Sequence, residues 1–147
     1  MNRPGVVRAL MPLVLSGIVP ASAGAEPVVP ARPNRLHCEY LADPMGIDVR
    51  APRLGWCLRS DGEAPRGLRQ SAYRILAATS DTALAQDRGD LWDSGEVESD
   101  ASAFVAYAGR PLVSNQAIWW KVRFRDGAGA WSPWSCPARW TPGLFEP

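Results

Sequence analysis

The stretch from Ile118 to Trp140 is patterned for a single β-hairpin, and no other part of the chain limits its fold so tightly. In Ile118-Trp119-Trp120-Lys121-Val122-Arg123-Phe124-Arg125 the even positions are large and apolar, while Lys121, Arg123 and Arg125 put cations on the odd ones. A period of two is the mark of a strand with one face in a core and the other in water. Asp126 to Ala130 supplies a Gly-containing turn, Trp131-Ser132-Pro133-Trp134-Ser135 follows, and Cys136 to Thr141 completes a second short strand. A hairpin of this kind is a support rather than a reaction centre.

The first 25 residues have the layout of an export signal. Arg3 and Arg8 give a positive start, Ala9 to Val19 is uncharged and mostly apolar, and Ala21-Ser22-Ala23 or Ala23-Gly24-Ala25 offers small residues at cleavage spacing. A membrane span needs roughly 20 apolar residues, and Pro20 interrupts this run, so the expected product is exported, periplasmic or extracellular, and free of the membrane once cleaved. Residues 26–35 are Pro-rich and aperiodic, which reads as a linker. One domain of about 110 residues, 36–145, remains. Without Arg3 and Arg8, 14 basic side chains stand against 15 acidic ones. That balance, with no basic cluster, excludes a nucleic-acid partner.

Seven Trp in a chain of 147 residues is the outstanding compositional fact. Each carries about 150–250 Å² of surface to bury, so a few of them fill a small sandwich. Three cysteines are less informative. Alternation through Leu36, Cys38, Tyr40 and Leu54, Trp56, Leu58 turns Cys38 inward and Cys57 outward, which argues against a disulfide between them. Cys38, Cys57, Cys136 and the single His37 have no metal-ligand spacing, and no cofactor is expected.

Further short strands are expected at 36–41, 53–59, 70–79, 91–97 and 104–107, with one helical turn after a Ser80 or Asp81 cap. The third, with Tyr73, Ile75 and Ala77 on one face and Arg74, Leu76 and Ala78 on the other, should be buried on both sides. About seven strands with frequent turns predict an all-β antiparallel sandwich of the fibronectin type III or immunoglobulin kind.

No constellation for catalysis emerges. Glycoside cleavage needs two carboxyl groups about 5–9.5 Å apart in a pocket, and the candidate pairs Asp90 with Asp93, Glu96 with Glu98 and Asp43 with Asp48 sit in turns or on polar strand faces. His37 falls on an outward face beside Glu39, no Gly-x-Ser-x-Gly elbow exists, and Gly127 and Gly129 form a hairpin turn rather than a phosphate loop. Trp92, in a broken strand, and Trp119, on the outer face, are candidate contacts for a sugar or an adjoining domain. Arg123 and Arg125 can interleave with Trp131 and Trp134 in a structural cation–π stack.

Leu36-His37-Cys38-Glu39-Tyr40, Pro52-Arg53-Leu54-Gly55-Trp56, Gln70-Ser71-Ala72-Tyr73-Arg74-Ile75-Leu76, Leu91-Trp92-Asp93-Ser94-Gly95 and the block from Trp120 to Leu144 closely resemble the N-terminal module of bacterial α-L-rhamnosidases. That resemblance implies a fibronectin type III-like sandwich placed ahead of further β-domains and a helical barrel, where acidic residues release rhamnose with inversion. None of those catalytic positions maps onto this chain. The expectation is a non-catalytic accessory module, present as a fragment or truncated product, whose partners are neighbouring rhamnosidase domains; the alternative is a free-standing module binding a rhamnose-containing glycan. Trp131-Ser132-Pro133-Trp134-Ser135 also resembles the Trp-Ser-x-Trp-Ser element of cytokine-receptor fibronectin domains.

Overall fold

Strand alternation resolves into two stacked sheets in the computed structural model, which describes residues 31–60 and 67–145. The elements in order are β1 (Ala31–Cys38), β2 (Met45–Ile47), β3 (Arg53–Ser60), β4 (Gln70–Ala78), α1 (Asp81–Ala85), β5 (Trp92–Asp93), β6 (Val105–Ala106), β7 (Ile118–Asp126) and β8 (Ala138–Pro142). One sheet has the order β1-β3-β6 and the other β2-β8-β7-β4-β5. The export signal expected over residues 1–25 lies outside the described residues.

The core forms where the inward faces meet. Cys38, Leu54 and Trp56 from the smaller sheet pack with Tyr73, Ile75 and Ala77 of β4, Ile118, Trp120 and Val122 of β7, and Trp140 of β8. Aromatic rings join the layers edge to face: Trp92 on Tyr107 at 5.3 Å, Tyr107 on Trp140 at 5.6 Å, and Trp140 on Trp120 at 6.4 Å between centroids. This is the geometry that ring quadrupoles favour. Buried Gln70 is partnered through both ends of its amide, as burial demands. The Trp56 indole donates to Gln70 Oε1 at 3.0 Å, and the Gln70 amide donates to the carbonyls of Ser99 (3.1 Å) and Ala101 (2.7 Å).

The middle of β4 is buried on both sides. Leu76 and Ala78 face outward, where Leu84 of α1 covers them. α1 starts as the sequence suggests, with Ser80 Oγ accepting from the Ala83 amide at 3.1 Å.

Three expectations need correction. The stretch read as linker, 26–35, contains the start of β1 at Ala31, and the tightly buried Pro33 pairs with Leu58. Proline is tolerated because β1 is an edge strand, where a missing N–H removes no essential ladder bond. β1 also stops at Cys38 rather than Leu41: Glu39 and Tyr40 take φ of +46° and +67°, and the chain folds back so that the Cys38 and Leu41 backbones bond each other. Finally, the about seven strands expected come out as eight among the described residues, as a sandwich should, but the larger sheet is not wholly antiparallel. Short β2 runs parallel to β8, too brief for alternation to reveal.

Candidate functional site

β7 is a nine-residue strand whose inward side chains are all held by the core, so its outward cations must find partners on the surface. The return strand supplies them. β8 itself pairs with β7 only from Ile118 to Trp120. Beyond that, two proline residues, 133 and 137, prevent a regular ladder, and serine side chains take over. Ser132 Oγ accepts from the Phe124 amide at 3.0 Å and Ser135 Oγ from the Val122 amide at 3.1 Å. The amides of the same serines donate back to the Phe124 and Val122 carbonyls at 2.8 and 2.9 Å.

Three residues of the return segment therefore span two residues of β7. That mismatch sets the face of the indoles. In a pleated strand Trp131 and Trp134 would point to opposite sides, but a three-residue period brings both over the outer face. The structure brings together Arg123, Arg125, Trp131 and Trp134: the Arg123 guanidinium lies 4.6 Å from the Trp131 ring centroid and 4.8 Å from that of Trp134, with Arg125 5.9 Å from Trp131. Lys121, which sequence reasoning left out of the stack, adds a rung 4.8 Å from Trp134.

Acidic side chains close the edges of this ladder. Lys121 pairs with Asp87 and Arg125 with Glu96, Glu98 standing 3.4 Å from the same guanidinium. Arg123 sits between the rings without a carboxylate of its own, and burial together with the nearby Arg74 pushes its pKa down. Lys121, Arg123 and Arg125 are thus all engaged within the molecule, so the ladder is a brace.

The candidate carboxylates Asp90, Asp93 and Asp43 are similarly committed. Asp90 accepts from the Thr79 amide (2.9 Å) and hydroxyl (2.6 Å). Asp93 takes a two-pronged bond from Arg74, at 3.0 and 2.6 Å, and a third from the Gly95 amide at 2.9 Å. Asp43 accepts from the Arg139 amide at 2.9 Å. The Arg74 bond holds the Asp93 carboxyl below its ordinary range. For Asp90, burial pulls upward but the Thr79 bonds outweigh it, so that carboxyl too is held low. A general acid needs the opposite shift. His37 lies flat against Gly55 and its Nδ1 is 3.0 Å from the Arg35 carbonyl oxygen. Among the described residues no three His, Cys, Asp or Glu converge as metal ligands.

Of the two Trp singled out as contacts, Trp92 is packed against the main core beneath Gly109. Trp119 is half-buried beside Leu76, Ala78 and Leu84, with the Arg139 guanidinium 5.8 Å from its ring.

An exposed cluster on the other sheet went unnoticed in the sequence. Tyr40 and Phe104 meet edge-on at 5.7 Å, and the Arg53 guanidinium lies 5.3 and 5.9 Å from their rings. Glu39 fixes Arg53, accepting from its amide at 2.6 Å and from Nη2 at 2.7 Å, and that side-chain bond lowers the Glu39 pKa. Glu39, Tyr40 and Phe104 all have positive φ, a conformation that costs a bulky residue on the order of 1–3 kcal/mol. Nothing in a linear pattern distinguishes these rings from core aromatics, because a left-handed backbone turns them outward.

The family described as Rha78A-like, N-terminal immunoglobulin domain matches residues 33–146. An α-L-rhamnosidase from Streptomyces avermitilis is 44% identical over 107 residues, which are 73% of this chain and 10% of that protein. The solved structure of a Streptomyces avermitilis α-L-rhamnosidase complexed with L-rhamnose superposes with a TM-score of 0.72 at 42% identity, covering 78% of this chain and 11% of the other. The α-L-rhamnosidase from Dictyoglumus thermophilum gives the same TM-score at 31% identity, with 77% and 12% covered. The chain spans about a tenth of the length of these relatives.

Proposed function

Because the chain belongs to the Rha78A-like N-terminal immunoglobulin domain family, we propose that it is a non-catalytic accessory module of an exported α-L-rhamnosidase, serving to pack against and position neighbouring domains. The observation that carries this reading is the commitment of its charged groups. Asp90, Asp93, Glu96 and Glu98 are all bound by Thr79, Arg74 or Arg125, so neither of these two candidate carboxylate pairs is free. A rigid sandwich braced on its outer face suits a spacer. The match of residues 33–146 to an N-terminal immunoglobulin domain supports the same view.

Incubating the 147-residue chain with an aryl rhamnoside tests the non-catalytic half of this proposal. No release above buffer is expected; turnover that survives repurification would overturn it. Export is tested separately, by expressing the chain with residues 1–25 intact and looking for mature protein beginning near Glu26 outside the cytoplasm.

A further inference from the structure

Among the described residues, the large apolar side chains left in solvent gather at one pole of the sandwich. Tyr40, 63% exposed, stands in the β1–β2 turn, and Phe104, 62% exposed, precedes β6. Both adjoin the start of β3, since Cys38 pairs with Leu54 and Arg53 with Ala106. Met45 of β2, 78% exposed, pairs with Thr141 at the end of β8, and Leu144, 75% exposed, follows directly. The loop before β7 joins them: Ser114 Oγ accepts from the Phe145 amide at 2.9 Å, next to exposed Val113.

This pole presents exposed apolar side chains to solvent. Strained backbone at Tyr40 and Phe104 holds two rings outward that relaxed chain would let turn away, and exposed patches of this kind mark contacts. A sugar is a poor occupant. The hollow between Tyr40, Arg53 and Phe104 has a volume of about 10 Å³, against roughly 300–1,000 Å³ for small-molecule pockets. The larger depression beside it, about 470 Å³, is walled by Arg35, Leu36, His37, Tyr40 and Ala42, with no carboxylate or amide side chain to bind sugar hydroxyls. A macromolecular surface is the better match, and β8 delivers the backbone at this same pole. Arg50 lies 4.9 Å from the Phe145 ring, with no carboxylate partner among the described residues.

We propose that this pole is the docking surface for the domain that follows the module in an α-L-rhamnosidase chain, a partner face that is apolar and carries a carboxylate opposite Arg50. The proposal rests on the accessory reading above and adds to it the face used.

Hydroxyl-radical footprinting tests it, because Tyr40, Met45 and Phe104 are readily oxidised. The 147-residue chain alone is compared with the same chain joined in place of the matching module of the Streptomyces avermitilis enzyme. Oxidation at Tyr40, Met45 and Phe104 should fall severalfold on joining, while Trp131 stays unchanged. Protection confined to Trp131 and Trp134 would overturn the docking face and leave the accessory reading standing; protection nowhere would sink both. Protection of Tyr40 and Phe104 in the isolated chain by L-rhamnose, or by its own dimerisation, would also overturn the proposal. If the junction prevents folding, the native Streptomyces avermitilis enzyme against its excised module, read at the positions aligning with Tyr40 and Phe104, decides in the same way.

Discussion

Ser132 Oγ accepts the Phe124 amide hydrogen at 3.0 Å, standing where the carbonyl of a partner strand would otherwise be. Ser135 does the same for Val122, and both serines are buried. Removing either hydroxyl leaves a buried amide without a partner, which costs about 1–3 kcal/mol. Ser132→Ala and Ser135→Ala should each lower the urea midpoint by a corresponding amount. Ser132→Thr, which keeps the acceptor, should lose less. Equilibrium unfolding followed by Trp fluorescence makes the comparison, and a Ser132→Ala protein as stable as the parent would show that the hydroxyl bond adds nothing.

Arg123 is the central rung of the ladder, flanked by both indoles. Partly desolvated cation–π contacts contribute about 0.5–2 kcal/mol each, so Arg123→Gln should destabilise the domain by roughly 1–3 kcal/mol. Arg123→Lys keeps the charge but not the plane that stacks on two rings at once, and should recover only part of the loss. Near-UV circular dichroism supplies an independent readout: Trp131 and Trp134 should lose fixed asymmetry in Arg123→Gln and keep more of it in Arg123→Lys.

Much of this arrangement is legible before any coordinates exist. Alternation along Ile118–Arg125 separates core from surface because β7 is a long central strand with one apolar face, and Ile118, Trp120, Val122 and Phe124 are all buried. Where the backbone leaves the pleat, pattern reading fails. Lys121 looks like an ordinary solvated lysine until the three-residue period of the return segment brings Trp134 over it. β2 is too short to alternate, and it is held by pairing with a strand far along the chain. Tyr40 and Phe104 escape notice because a positive φ reverses the face that alternation assigns.

Acid should weaken the fold through Asp93 and Glu39. Each carboxyl is held low by an arginine hydrogen bond, Arg74 for Asp93 and Arg53 for Glu39. A depressed folded-state pKa contributes stability that is present above the unfolded values, about 3.9 for Asp and 4.3 for Glu, and is lost as pH falls through the folded ones. The Asp93 side chain is 41% exposed, so solvent screening keeps the effect small. Urea midpoints measured at intervals from pH 6 down to about 2.5 should decline below about pH 4, and Asp93→Asn should make that decline shallower. An unchanged slope in Asp93→Asn would assign the acid sensitivity to other groups.

Thiol reactivity should divide the three cysteines by environment. Cys38 is buried on the inner face of β1, where desolvation, with Glu39 nearby, pushes its pKa up to about 12. Only a thiolate attacks an alkylating reagent at a useful rate, and this one is both protonated and enclosed. Cys57 and Cys136 are exposed. Iodoacetamide at pH 8 should therefore modify Cys57 and Cys136 in the native chain and spare Cys38 until the domain unfolds, as read by intact-mass and peptide mass spectrometry. Because Cys38 packs in the main cluster with Leu54 and Trp56, its labelling rate should rise in step with the unfolded fraction in urea, which makes it a reporter of global opening. Native labelling of Cys38 as fast as that of Cys57 would mean that the end of β1 opens separately from the core.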